Sequence, residues 1–313
     1  MSIDFMVQGP VAGSGGVETG AGYVAAGDTV DTVDRFSFPS DTRTTLSTGT
    51  STARQAGAGM SNSGTAGYHA GGGTSGNVPV TTIDKFAYVD DSRTTLGTGL
   101  ADTRTNVPFG FSNSGTAGYI GGGWSYTGNT SIDDIDKITF SSDSRSTLGA
   151  TLSANTQYLP GMANSGTAGY TGGGYAGGAN TATVDKITFS DDSKSTLGTG
   201  LSIARRIGMG MANSGVAGYF GAGYDDNYAY SSVVDKFTFS TDSRTTLGTG
   251  LSAGAQAGAG YADSSVAGYF TGGTGLGSAT DKFSFADDTR SSSTTLSGSR
   301  SYMAGFANEG SLA

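Results

Sequence analysis

Asn164-Ser165-Gly166-Thr167-Ala168-Gly169-Tyr170, followed one residue later by Gly172-Gly173-Gly174, is the stretch that organises the chain. It recurs from Asn62 as NSGTAGYHAGGG, from Asn113 as NSGTAGYIGGG, from Asn213 as NSGVAGYFGAG and from Asp263 as DSSVAGYFTGG, with a worn copy, GAGYVAAG, at Gly20. The anchoring tyrosines are Tyr23, Tyr68, Tyr119, Tyr170, Tyr219 and Tyr269, and successive differences are 45, 51, 51, 49 and 50 residues. A period near 50 belongs to propellers and other repeat arrays, whose units bury their apolar faces only against one another.

Each repeat divides into four apolar segments separated by turn residues. In the third full copy these are Gly161 to Asn164, Thr167 to Thr171, Thr183 to Phe189 and Lys194 to Leu197. The third segment alternates with period two, as a half-buried strand does, and no helical period occurs anywhere. It recurs as VDRFSF, IDKFAY, IDKITF, VDKITF, VDKFTF and TDKFSF from residues 33, 83, 135, 184, 234 and 280. Six copies of four strands predict an all-β, six-bladed propeller with four antiparallel strands per blade. The chain ends on a first segment, Gly305-Phe306-Ala307-Asn308, while its N-terminal repeat begins at the second. The expectation is that this C-terminal strand joins blade 1 and closes the ring by hydrogen bonding. Residues 19–313 then form the propeller, and residues 1–18, which do not match the repeat, an N-terminal arm or attachment segment.

Asp84, Asp136, Asp185 and Asp235 recur within the third segment, on the face that alternation gives to the aromatics. A carboxylate there needs a partner. The reading is structural: each caps backbone amides or pairs with an arginine such as Arg54, Arg104, Arg205 or Arg300. Tyr68, Tyr119, Tyr170 and Tyr219 are read as structural repeat residues too.

Composition narrows the function. Gly 55 with much Ser and Thr suggests disorder, but the aromatic fraction is 10% and the aromatics keep fixed repeat positions. The absence of cysteine removes disulfides, thiol nucleophiles and thiolate metal sites. A net charge of −9 disfavours nucleic acid and anionic membrane as partners. No run of 18 apolar residues suggests membrane insertion, and MSIDFMVQGP does not read as a signal peptide.

The order of Gly173-Gly174, Tyr175, Val184-Asp185-Lys186-Ile187, Leu201 and Arg205 resembles the kelch repeat over roughly residues 19–313. The tryptophan of the kelch fourth strand is absent, with Leu148, Leu197 and Leu247 in its segment. The wording NSGTAGY and DSRTTLGTGL looks like the kelch-like propellers of tailed, especially marine, bacteriophage virions. That resemblance implies a tail-fibre or receptor-binding component, located on the virion, with other virion proteins as partners through residues 1–18 and a host surface glycan or protein as a further one. A capsid decoration or baseplate protein is the alternative, and a carbohydrate-active enzyme the third reading.

Catalytic chemistry has little to stand on in the sequence. One histidine and no cysteine cannot build the copper site of the kelch-type galactose oxidase. His69 takes a strand position held elsewhere by Ile120, Thr171, Phe220 and Phe270. The pairs Asp90-Asp91, Asp191-Asp192 and Asp287-Asp288 fit Asx turns, and calcium would need more converging oxygens than they offer. The expectation is therefore no catalytic residue, no metal and no cofactor. Binding falls instead to the variable loops after the glycine triplet: Trp124 and Tyr126 in one, and Tyr224, Asp225, Asp226, Asn227, Tyr228 and Tyr230 in another. Aromatic rings beside Asp and Asn suit sugars, which present apolar faces and hydroxyls together.

Overall fold

The computed structural model describes residues 20–76 and 78–308. The segment 1–18, expected to be an arm, lies outside the described residues. Six four-stranded antiparallel sheets follow one another along the chain. The fourth is typical: Gly161–Asn164, Ala168–Gly172, Val184–Thr188 and Ser193–Thr196, in that order from inside to outside. The innermost strands of the second to sixth sheets are Ala58–Asn62, Phe109–Asn113, Gly161–Asn164, Met209–Asn213 and Ala259–Asp263. In the first sheet the innermost strand is Ala304–Ala307, which pairs with Gly20–Ala25 from Gly22↔Ala307 to Ala25↔Ala304.

The architecture resembles a β-propeller, but the expected ring closed through a strand is corrected: among the described residues no sheet is closed into a ring. Each stays open, and the six are held together by packing and by loop contacts. The inner strands touch in succession, and Ala304–Ala307 touches both Ala58–Asn62 and Ala259–Asp263. Glycine makes this approach feasible. A Cβ on Gly59 would overlap the carbonyl oxygen of Gly305; one on Gly305, that of Gly260; one on Gly260, that of Gly210. Gly210, Gly161 and Gly110 continue the circle onto Gly161, Gly110 and Gly59. The cavity between these strands is only about 60 Å³, so the axis is filled by backbone.

At one end of the axis the loops entering the inner strands bond to each other. Ala56 N–H donates to Tyr302 O (2.8 Å), Tyr302 to Ala257 (2.6 Å), Ala257 to Ile207 (3.0 Å), Ile207 to Tyr158 (2.9 Å) and Tyr158 to Asn106 (2.8 Å), while Val107 donates to Ala56 (3.3 Å). All seven residues have positive φ, which turns each amide toward its neighbour. At the other end sit the NSG turns. Ser63, Ser114 and Ser165 N–H donate to the hydroxyls of Ser114, Ser165 and Ser214, and Gly115, Gly166 and Gly215 N–H donate to Asn62, Asn113 and Asn164 Oδ1. The repeated stretch is thus a turn whose polar side chains serve the neighbouring sheet.

A third set of contacts lies farther out. The hydroxyls of Tyr23, Tyr68, Tyr119, Tyr170, Tyr219 and Tyr269 donate to Asp91, Asp143, Asp192, Asp242, Asp288 and Asp41 of the next sheet, at 2.7–3.1 Å. Lys85, Lys137, Lys186, Lys236 and Lys282 reach the same aspartates at 2.7 Å while lying over the same tyrosine rings. The first aspartate of the pair does the local work: Asp90 and Asp191 Oδ1 accept from Ser92 and Ser193 N–H. Because each sheet is covered on both sides, the period-two pattern understates burial. Val184 is as buried as Asp185 and Ile187, and only Lys186 and Thr188 are intermediate.

Beyond the four-stranded sheets, three small ones form in the variable loops, among them Thr156–Gln157 with Tyr175–Ala176 and Ala179–Asn180, and Arg205–Arg206 with Tyr224–Asp225. Removing residues 301–313 strips the first sheet of its inner strand, leaves Gly20–Ala25 as an edge and breaks two links of the loop circle. Its thermal unfolding, followed by circular dichroism, is expected to start at least 10 °C lower than that of the full chain; an unchanged midpoint contradicts the role given to Ala304–Ala307.

Candidate functional site

The strand aspartates are placed against arginines and hydroxyls. Asp84 Oδ2 accepts from Ser51 N–H and Oγ and pairs with Arg54 at 3.0 Å, while its Oδ1 accepts from Thr95. Asp235 repeats the set with Ser202, Arg205 at 3.0 Å and Thr246. Asp136 has Arg104 at 3.4 Å, and Asp34 has Arg300 at 2.7 Å. These pairs are almost wholly buried. Burial alone raises the Asp84 and Asp235 carboxyls, but Arg54 and Arg205, with the hydroxyl and amide donors, outweigh it and hold both below the usual range. Tyr68, Tyr119, Tyr170 and Tyr219 lie in the latches between sheets.

His69 faces this ion pair. It is fully buried, its carbonyl accepts from Arg54, and neither ring nitrogen has a hydrogen-bond partner among the described residues. Burial first, and the Arg54 charge second, push the imidazole well below its usual value, with Asp84 opposing. The folded protein therefore holds His69 neutral, whereas the unfolded chain takes up a proton near pH 6.5. Stability falls as pH drops below that point: about 1.4 kcal/mol is lost between pH 7.5 and 5.5. His69→Ile, matching Ile120 one sheet on, is expected to flatten this segment of a Tm-against-pH curve; an equal slope in both proteins contradicts the assignment.

The candidate for binding lies on the loop end of the axis. Arg206 pairs in register with Tyr224, and its guanidinium lies 4.7 Å from the Tyr175 ring centre, 5.1 Å from that of Tyr224 and 6.0 Å from that of Tyr158. Among the described residues it makes no ion pair, and its Nε has no hydrogen-bond partner. Tyr230 and Tyr228 pack on Tyr224, with ring centres 5.7 and 6.0 Å away. Asn180 Nδ2 donates to Tyr224 O, and Asn106 Nδ2 to Gln157 Oε1, tying the loops together. Tyr158 and Tyr302 belong to the circle of loop bonds. Burial, then Tyr230 and Asp28, push the Tyr302 phenol up, and Arg206 opposes. Asp28 Oδ2 accepts from Ser301 N–H. One half-buried cation thus stands among tyrosines contributed by several loops.

Of the residues expected to bind, Tyr224, Tyr228 and Tyr230 come together here. Tyr228 is 79% exposed and Tyr230 44%, so part of this aromatic surface is free. Asp225 Oδ1 is occupied with the N–H groups of Asn227 and Ala229, which shapes the loop, and Asp226 is exposed. Trp124 is half-buried, paired with Thr105 and Ser131, and Tyr126 is exposed at 67%. No contact among the described residues joins either to Arg206. Arg206, Tyr158 and Tyr302 did not figure among the expected residues. The signal was the doublet Arg205-Arg206: the repeat needs only the first arginine, so the second is surplus.

No protein-family model matches the chain, and no curated protein matches it significantly. Among solved structures it is similar to that of YjhT, with a TM-score of 0.66 at 12% identity, covering 81% of this chain and 87% of that one. The likeness is one of fold, to an all-β architecture of antiparallel sheets resembling a β-propeller. It overturns the resemblance to phage virion propellers, which rested on repeat wording. With it go the tail-fibre or receptor-binding role, the decoration or baseplate alternative, the virion location and the partnership with virion proteins or a host surface. The expectation that the chain is no enzyme is corrected as well.

Proposed function

We propose that the chain is a carbohydrate-active protein that seats a saccharide against Arg206 and its tyrosines and acts on it there. The supporting observation is the Arg206 guanidinium, set among the rings of Tyr158, Tyr175 and Tyr224 without a protein counter-ion among the described residues. A sugar has apolar C–H faces that stack on aromatic rings and hydroxyls that accept from a guanidinium, so one side of a monosaccharide meets both needs. Tyr230 and Tyr228 extend the stacking surface outward. Tyr302, whose phenol burial keeps protonated, is the candidate hydrogen-bond donor to a sugar oxygen.

The test is binding and turnover with a panel of neutral and acidic mono- and oligosaccharides, by titration calorimetry and by NMR of the sugars. A saccharide that binds is expected to lose at least tenfold in affinity with Arg206→Ala and to be processed more slowly by Tyr302→Phe. Failure of every sugar to bind, or affinity unchanged in Arg206→Ala, overturns the reading.

A further inference from the structure

The geometry points to a binding site for a small monovalent cation, Na⁺ or K⁺, beside Asp185 in the fourth sheet. The reason is a comparison among the six sheets of the one chain. Arg54, Arg104, Arg205 and Arg300 place a buried guanidinium next to the strand aspartate in four of them. In three, the same arginine also donates to the carbonyl of the adjacent strand, at His69, Phe220 and Val24. In the fourth sheet the corresponding residue is Thr156, whose side chain cannot reach that far and carries no charge. Asp185 nevertheless remains, 94% buried by side chain and still bonded through Oδ2 to Ser153 N–H and Oγ. Thr171 stands opposite it in register, where His69 and Phe220 stand opposite Asp84 and Asp235.

A cavity of about 30 Å³ marks the vacated place, with Ser153, Thr156, Thr171, Thr181, Thr183 and Asp185 on its wall. Four of its hydroxyls are committed as donors elsewhere: Thr156 to Ala154 O, Thr171 to Pro160 O, Thr181 to Thr183 and Ser153 to Asp185. Their oxygen lone pairs are what remains, and oxygen lone pairs beside one carboxylate suit a hard cation. A single charge is sufficient. The second, outer cation of the set is present, since Lys194 lies 3.8 Å from Oδ1, and Arg93, Arg145 and Arg244 lie 3.4–3.8 Å from theirs in three of the sheets with buried arginines. The fourth sheet is short of one unit of positive charge, which an alkali ion supplies and a divalent ion exceeds. The sixth sheet also lacks the arginine, with Ala255 in its place, but Asp281 borders a cleft of about 380 Å³ where solvent can serve it.

The experiment is thermal unfolding in NaCl, KCl and choline chloride at equal ionic strength, with rubidium soaked into crystals as an anomalous marker. At tenfold over its dissociation constant the favoured alkali ion is expected to raise Tm by about 2–3 °C over choline. Thr156→Arg, which restores the sister sheets' arrangement, should melt higher and lose the ion dependence, and Asp185→Asn should lose it as well. Rubidium should appear beside Asp185. Equal melting in all three salts, a dependence that survives in Thr156→Arg, or a rubidium-free cavity overturns the proposal.

Discussion

Gly59, Gly110, Gly161, Gly210, Gly260 and Gly305 set how closely the six sheets meet, and the rest of the structure follows from that approach. At each, the Cα–H faces the carbonyl of the neighbouring inner strand, a contact that only a residue without a side chain permits. Six such contacts close on themselves around the axis. They explain why the first segment of every repeat carries a glycine, and why the axis holds backbone. They also explain why the sheets need no shared strand ladder: each stays a separate four-stranded unit, and at the axis neighbours meet by close backbone contact.

Backbone contact alone does not fix the angle between sheets, and the polar contacts farther out do. The tyrosine and aspartate of each latch come from two sheets, with a lysine beside the tyrosine in five of them and Arg35 in the sixth, and the aspartate sits at positive φ in a turn that short polar residues tolerate. The buried aspartate–arginine pairs work within a sheet, binding the loop that enters it to its third strand. Such pairs gain little net stability over an apolar core but are costly to break halfway. That asymmetry gives weight to the fourth sheet, which keeps the carboxylate without the guanidinium. The site around Arg206 uses the same scaffold differently. Its loops are pinned at the base by the circle of amide bonds through Tyr158 and Tyr302, while the side chains above are released from repeat duty.

How much the sequence discloses follows from this division. The four-segment repeat and its strand aspartates were legible because architecture repeats and so shows itself six times over. The role of the latch aspartates was not: Asp91, Asp143, Asp192 and Asp242 look like local Asx residues, and their tyrosine partners lie more than 65 residues earlier in the chain. Burial on both faces was hidden too, since Val184 and Lys186 share a face in the alternation, yet Val184 is fully buried and Lys186 only half-buried. At the candidate site, Tyr224 and Tyr230 stood out by variability, whereas Arg206 was masked by its neighbour Arg205. The virion resemblance failed because the wording of a repeat follows the needs of packing and turns, which unrelated roles share.

The most direct test of the glycine constraint is a pair of alanine substitutions in the fifth sheet and its outer loop. Gly210 faces the Gly161 carbonyl, while Gly248 is exposed with nothing near its missing Cβ. In urea unfolding, Gly210→Ala is predicted to lose about 3 kcal/mol or more, through overlap that no rotamer can relieve. Gly248→Ala should change stability by no more than about 1 kcal/mol. Equal, small effects at both positions would contradict the claim that close backbone approach at these glycines holds the sheets together.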